Sequence, residues 1–183
     1  MKKIFVFMLC YLDLFAVNTY KNLKKLSLEE LFNKGYYTYI CNRRWQYINK
    51  YNQKREDLLS IVAYSCLKKG YLIPALDLAK VLNETKESRK NATYIVTLFL
   101  MKKLIMQVIK DGLNLNMIKL PVIKDNLLGI VFENIKKGNY KKENNVLIII
   151  IDEIKYKIWI SKDNNVYIGV FKNGKLIKRE IYW

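Results

Sequence analysis

Phe32-Asn-Lys-Gly-Tyr36 and Leu67-Lys-Lys-Gly-Tyr71 are two versions of one pentapeptide, with Gly35 and Gly70 thirty-five residues apart. Each glycine stands where one helical pattern stops and the next begins. A spacing of this size is the mark of a helix–turn–helix unit used more than once. Units of that kind bury their apolar faces on neighbours and present the remaining surface to a partner, so the echo favours binding or scaffolding over catalysis.

Working outward, Ser27-Leu-Glu-Glu30 has the capping-box form and starts a helix that should end at Gly35. A second helix is expected over 36–51, with Tyr37, Ile40, Cys41, Trp45 and Ile48 on one core-like face and Trp45 packed inside the hairpin. Leu58, Leu59, Val62, Ala63, Cys66 and Leu67 repeat the pattern over 55–69. Ala75, Leu78, Ala79 and Leu82 continue it on a fourth helix, whose first turn accepts Pro74. A further unit begins near Glu87 and either turns near Leu104 or continues to about Lys110. Asp111-Gly112 closes the helical region, 20–112.

Past a connector through Pro121, a helix is expected over about 124–137. Gly138-Asn139 then marks a change of period. Val146 to Ile151 is a β-branched run, Lys155 to Ile160 alternates polar with apolar, and Val166 to Phe171 follows a turn at Lys162-Asp-Asn-Asn165. Asp152-Glu153 marks the first strand-to-strand turn, and Asn173-Gly174 is a two-residue hairpin turn leading to Leu176 through Tyr182. These four strands make an antiparallel meander packed on the preceding helix, so 121–183 reads as helix plus meander. The fold class is α+β, mainly helical.

Residues 55–87 resemble the tetratricopeptide repeat family. Ala63 takes the place of the small residue of the first helix, Gly70 precedes the turn, and Ala75 and Ala79 lie where the second helix crosses closely. Leu59, Cys66, Leu72 and Leu82 depart from the family's usual residues, and no proline closes the unit. Residues 20–52 match through Lys34-Gly35-Tyr36 and the spacing. The resemblance implies an array of helical hairpins that binds proteins.

The chain has 183 residues, of which 51% are hydrophobic, enough for an ordered core. Lys and Arg outnumber Asp and Glu by 33 to 16, a net charge of +17 that could attract nucleic acid, anionic lipid, acidic glycans or an acidic protein. Lys2-Lys3 followed by the apolar run from Ile4 looks like a secretory signal peptide over 1–17. That run is shorter than the roughly 20 residues that span a bilayer, although an uncleaved leader would leave the protein membrane-associated. Later apolar runs meet charges too soon to serve as spans, so no mature transmembrane segment is expected. The expected location is the periplasm or another secreted compartment. Without the leader, Cys41 and Cys66 remain, level with each other in an antiparallel hairpin. They read either as a disulfide in an oxidising compartment or as two small buried apolar residues.

The sequence contains no histidine. This removes the commonest general base, the usual triads and most zinc constellations, and no glycine-rich phosphate loop or nucleophile elbow replaces them. Catalytic residues, metal and cofactor are therefore expected to be absent. The acidic pairs Glu29-Glu30, Glu56-Asp57 and Asp152-Glu153 read as helix-start or turn charges. The candidate partner-binding surface is Arg43, Arg44, Tyr47, Lys50, Tyr51, Lys54 and Arg55, where cations beside aromatic rings offer both charge and stacking area. The expected function is that of a noncatalytic, exported protein-binding or scaffold protein of the cell envelope. The competing expectation is a basic accessory protein that binds nucleic acid or another anionic envelope polymer.

Overall fold

The computed structural model describes residues 23–51 and 54–183; the leader expected over 1–17 and the link at 52–53 lie outside them. Among the described residues seven helices precede a sheet: α1 Leu28–Asn33, α2 Tyr37–Asn42, α3 Arg44–Tyr51, α4 Glu56–Leu67, α5 Leu72–Ala79, α6 Lys86–Asp111 and α7 Leu127–Lys136. The strands are β1 Lys141–Glu143, β2 Val146–Ile151, β3 Ile154–Ile160, β4 Val166–Lys172 and β5 Lys175–Tyr182. They pair antiparallel in chain order, so the α+β class and the C-terminal meander are present, with five strands rather than four. The extra strand escapes sequence reading because β1 is Lys-Lys-Glu, exposed throughout, and only its pairing with Val146, Leu147 and Ile148 makes it a strand.

Local chemistry sets the helix ends. At α1 the Ser27 hydroxyl accepts the Glu30 N–H at 3.1 Å and the Glu30 carboxylate accepts the Ser27 N–H at 2.7 Å, the reciprocal capping box. At its other end Tyr36 N–H donates to Leu31 O across Gly35, which has φ +76°. Tyr71 N–H donates to Cys66 O across Gly70 in the same way. Such closures need a left-handed residue, where glycine has no Cβ to clash. A third copy, Ile135-Lys-Lys-Gly-Asn139, ends α7 with an Asn139 N–H to Asn134 O bond. The pentapeptide is thus a helix stop, used in the hairpins and again beside the sheet.

The helix expected over 36–51 divides at Arg43, which caps α2 with its N–H and accepts the Gln46 N–H as α3 begins. Ile40 and Cys41 bury α2 against α4, whereas α3 buries no residue fully and leans toward α5 through Arg44 and Asp77. Trp45 is therefore 52% exposed and not in the hairpin core. Cys41 and Cys66 are joined as a disulfide between α2 and α4, with Cα atoms 5.0 Å apart.

Two apolar cores meet along α6. Ile40, Leu59, Val62, Ala75, Leu78 and Ile95 fill the core of the helical hairpins. Leu98, Met101, Ile105, Phe132, Leu147, Ile158 and Ile168 fill the core beneath the sheet. The 26-residue α6 runs uninterrupted to a left-handed cap at Gly112, about 39 Å of helix, and serves both. Of the helices described it alone has the length and apolarity to cross a membrane, and half of its most apolar stretch is buried in these cores. The end of β5 ties the halves together, since Trp183 N–H donates to Gly70 O at 2.9 Å.

Candidate functional site

The closure of β5 onto the α4–α5 turn leaves a cavity of about 580 Å³ between the helical hairpins and the edge of the sheet. Tyr64, Lys68 and Lys69 come from the end of α4, Tyr94 from α6, Asp125 and Asn126 from the segment entering α7, and Lys178, Arg179, Glu180 and Trp183 from the last strand. The alternation of β5 sends Tyr182 inward, where it is buried beside α7. Its hydroxyl accepts the Leu128 N–H at 3.2 Å and lies 3.0 Å from Asn126 Oδ1 and 2.5 Å from Glu180 Oε2. Lys178 completes the chain through a 2.6 Å ion pair with Glu180. Burial, helped by the Glu180 charge, pushes the Tyr182 phenol far above its ordinary range.

Nearby, the Tyr94 hydroxyl donates to Asp125 Oδ1 at 3.2 Å, and burial followed by the Asp125 charge raises this phenol as well. Both phenols stay protonated and act as hydrogen-bond donors. The Lys68 ammonium stands 4.9 Å from the Tyr64 ring, and its pKa is raised chiefly by its interactions with Tyr64. Among the described residues, Lys69 and Arg179, which line the cavity, have no ion-pair partner.

Tyr64, Leu67 and Tyr94 also wall a second hollow of about 260 Å³, whose other sides are Phe32, Ile61 and Ile95. The two hollows share these three residues as walls, one apolar between α1, α4 and α6 and the other polar and cationic at β5. Such a groove can take an apolar side chain on one side and an acidic group on the other.

The basic-aromatic stretch read from the sequence is used largely within the protein. Arg44 pairs with Asp77 at 2.7 Å, both partly buried, and Arg55 makes a forked pair with Asp57. Arg43 lies 3.9 Å from the centre of the Tyr39 ring, and Lys50 lies 5.3 Å from that of Tyr51. Tyr47 and Tyr51 stack with centroids 6.1 Å apart and pack against the hairpin core, and burial raises the Tyr47 phenol. Lys54 and the Trp45 ring remain exposed beside them. Among the described residues there is no cluster of three or more His, Cys, Asp or Glu arranged to hold a metal.

Sequence reading did not single out Lys68, Lys69, Tyr94, Asp125, Arg179 or Glu180 as a group, because they come from four elements separated by up to about a hundred residues. The local signal was the pair of lysines ahead of Gly70, which looks like ordinary helix-end charge until β5 closes over it. Compared with protein-family models, curated proteins and solved structures, this chain has no match to any of them.

Proposed function

We propose that this is a noncatalytic binding protein that docks a segment of a protein partner in the groove between the α4–α5 hairpin and β5. The carrying observation is that an apolar and a cationic hollow share Tyr64, Leu67 and Tyr94 as walls. The preferred segment places an apolar side chain between Phe32, Ile61 and Ile95 and an acidic group beside Lys69 and Arg179. A tetratricopeptide-like role for the hairpins agrees with this use, as does export to an envelope compartment, where the Cys41–Cys66 pair would stay oxidised. The absence of histidine, the commonest general base, supports a noncatalytic role.

The test is crosslinking of the tagged protein in its own cells, followed by mass spectrometry across a salt series, with Tyr64→Arg and Lys69→Glu variants alongside. A reproducible protein partner, retained at high salt and lost in both variants, is expected. Retention of every partner by both variants would overturn the assignment. The second reading, an anionic-polymer binder, has one observation of its own on the sheet.

A further inference from the structure

The strand register places three cross-strand rows on the face of the sheet turned away from α6 and α7. The middle row runs Lys141, Ile148, Lys157, Gly169, Arg179 from β1 to β5. On one side of it stand Trp159, Tyr167 and Ile181, and on the other Ile150, Lys155, Phe171 and Leu176. Trp159 and Tyr167 stack with centroids 5.3 Å apart and planes 21° from parallel. A Cβ at Gly169 would stand 2.9 Å from Phe171 Cε2 and 3.3 Å from Trp159 Cζ3, so the missing side chain lets the aromatic rows close over the backbone. Ile150 is 66% exposed and Leu176 52%. A one-sided antiparallel sheet ordinarily turns polar residues to water, so an aromatic and aliphatic outer face marks a contact surface.

The charges on this face are ordered. Lys141, Lys157 and Arg179 occupy alternate strands of one row, hence successive cations lie roughly 10 Å apart, two strand spacings. Neither they nor Lys155 has an ion-pair partner among the described residues, and Glu143 is the one acid on the same face of these strands. Regularly spaced cations interleaved with aromatic rings suit a partner with repeated negative charge and flat apolar planes.

We propose that this face binds single-stranded nucleic acid, its backbone running along the middle row and its bases turned to the Trp159–Tyr167 pair and to Phe171. Phosphates meet Lys141, Lys157 and Arg179, while unpaired bases supply the planes that aromatic side chains take up. A duplex keeps its base faces stacked inside and could use the cations alone. A bilayer would bury Lys157, which lies in the middle of the apolar face, without compensation. This goes beyond the groove reading and does not rest on it, although Arg179 also reaches the groove; the test therefore uses Lys141 and Lys157.

Binding of the full chain to a labelled fifteen-nucleotide oligothymidylate is measured by fluorescence anisotropy from 50 to 300 mM NaCl, together with quenching of tryptophan emission. Circular dichroism verifies the fold of each variant. Removing two phosphate contacts in the Lys141→Gln, Lys157→Gln double variant is expected to lower the slope of log K against log salt by about 1.4, with at least fivefold weaker binding at 50 mM. Trp159→Phe is expected to abolish most of the quench and keep the affinity within about threefold. Tyr64→Arg in the groove should leave the oligonucleotide affinity unchanged. The proposal is overturned by an absence of binding at 50 mM salt or by a slope indifferent to the double variant. It is equally overturned if duplex DNA, polyglutamate or phosphatidylglycerol vesicles bind as tightly as the single strand, or if the quench survives Trp159→Phe.

Discussion

Glu56→Gln is expected to destabilise the protein more than removal of any exposed charge, because this buried carboxylate on α4 holds the start of α6. It is 3% exposed, and its oxygens accept the N–H groups of Asn83 at 2.5 Å, Glu84 at 3.0 and 3.1 Å, and Thr85 at 3.0 Å. These donors lie just ahead of α6, whose own N-cap, Thr85, accepts the Ser88 N–H at 3.0 Å. Burial opposes ionisation of Glu56. The donors from Glu84, Thr85, Ser88 and Asn83 outweigh it together and hold the pKa at about 2, against an ordinary 4.5.

Because the folded-state pKa lies below the unfolded value, the contribution to stability is fully present above about pH 4.5 and is lost as the pH falls toward 2. A shift of this size sets a ceiling of about 3 kcal/mol. Glutamine keeps one acceptor and turns an amide donor toward an N–H donor, so we expect a loss of about 2–3 kcal/mol at pH 7. For a domain of this length that is a fall in Tm of about 4–12 °C. Thermal unfolding of both proteins from pH 2 to 7, followed by circular dichroism, measures the difference. A fall below 2 °C at pH 7, or a gap that persists undiminished at pH 2, would refute the reasoning.

Gly70→Ala should cost about 3 kcal/mol or more, because a Cβ there would stand 1.8 Å from Ile181 O in a φ +70° backbone. Gly35→Ala, with the same left-handed backbone but only Tyr37 Cε2 at 4.0 Å, should cost about 1 kcal/mol; equal losses in urea titrations would remove the tertiary distinction. Reducing the Cys41–Cys66 bond, which spans 25 residues, should lower stability by about 3.5 kcal/mol, as read from melts with and without reductant; titratable thiols in the native purified protein would count against the bond. Burial, and next the Lys103 charge, lower the pKa of Lys102 to about 8, so its charge destabilises the fold below pH 8 and that penalty disappears as the pH rises toward 10.5. Lys102→Met should therefore raise Tm at pH 7 and lose its advantage above pH 10, and a variant less stable than the parent at pH 7 would contradict this.

Much of the secondary structure was legible because its causes are local. Ser27 and Glu30 cap one another within a single turn, and Asn173 and Gly174, with φ values of +50° and +76°, form the hairpin turn that their residue types favour. Three features needed long-range contacts. The break at Arg43 stands next to Arg44, which pairs with Asp77 thirty-three residues further on, β1 exists through its pairing with β2, and α6 remains unbroken because two cores share it. The groove was hidden for the same reason. Its cations are spread over α4 and β5 and look like solvated charges until the chain closes.

By itself the sequence determined the helix stops, the turns, the change of period after Gly138 and the +17 charge, since these depend on backbone sterics and composition. Tertiary structure alone decided which of the repeated glycines matters most, where Trp45 lies, and which cations remain unpaired. Gly35 and Gly70 have the same neighbours in sequence and the same left-handed backbone, yet only Gly70 has the β5 carbonyl of Ile181 where its Cβ would be. Local conformation is a property of a few adjacent residues, whereas close approach between distant segments is set by how whole elements bury their apolar faces.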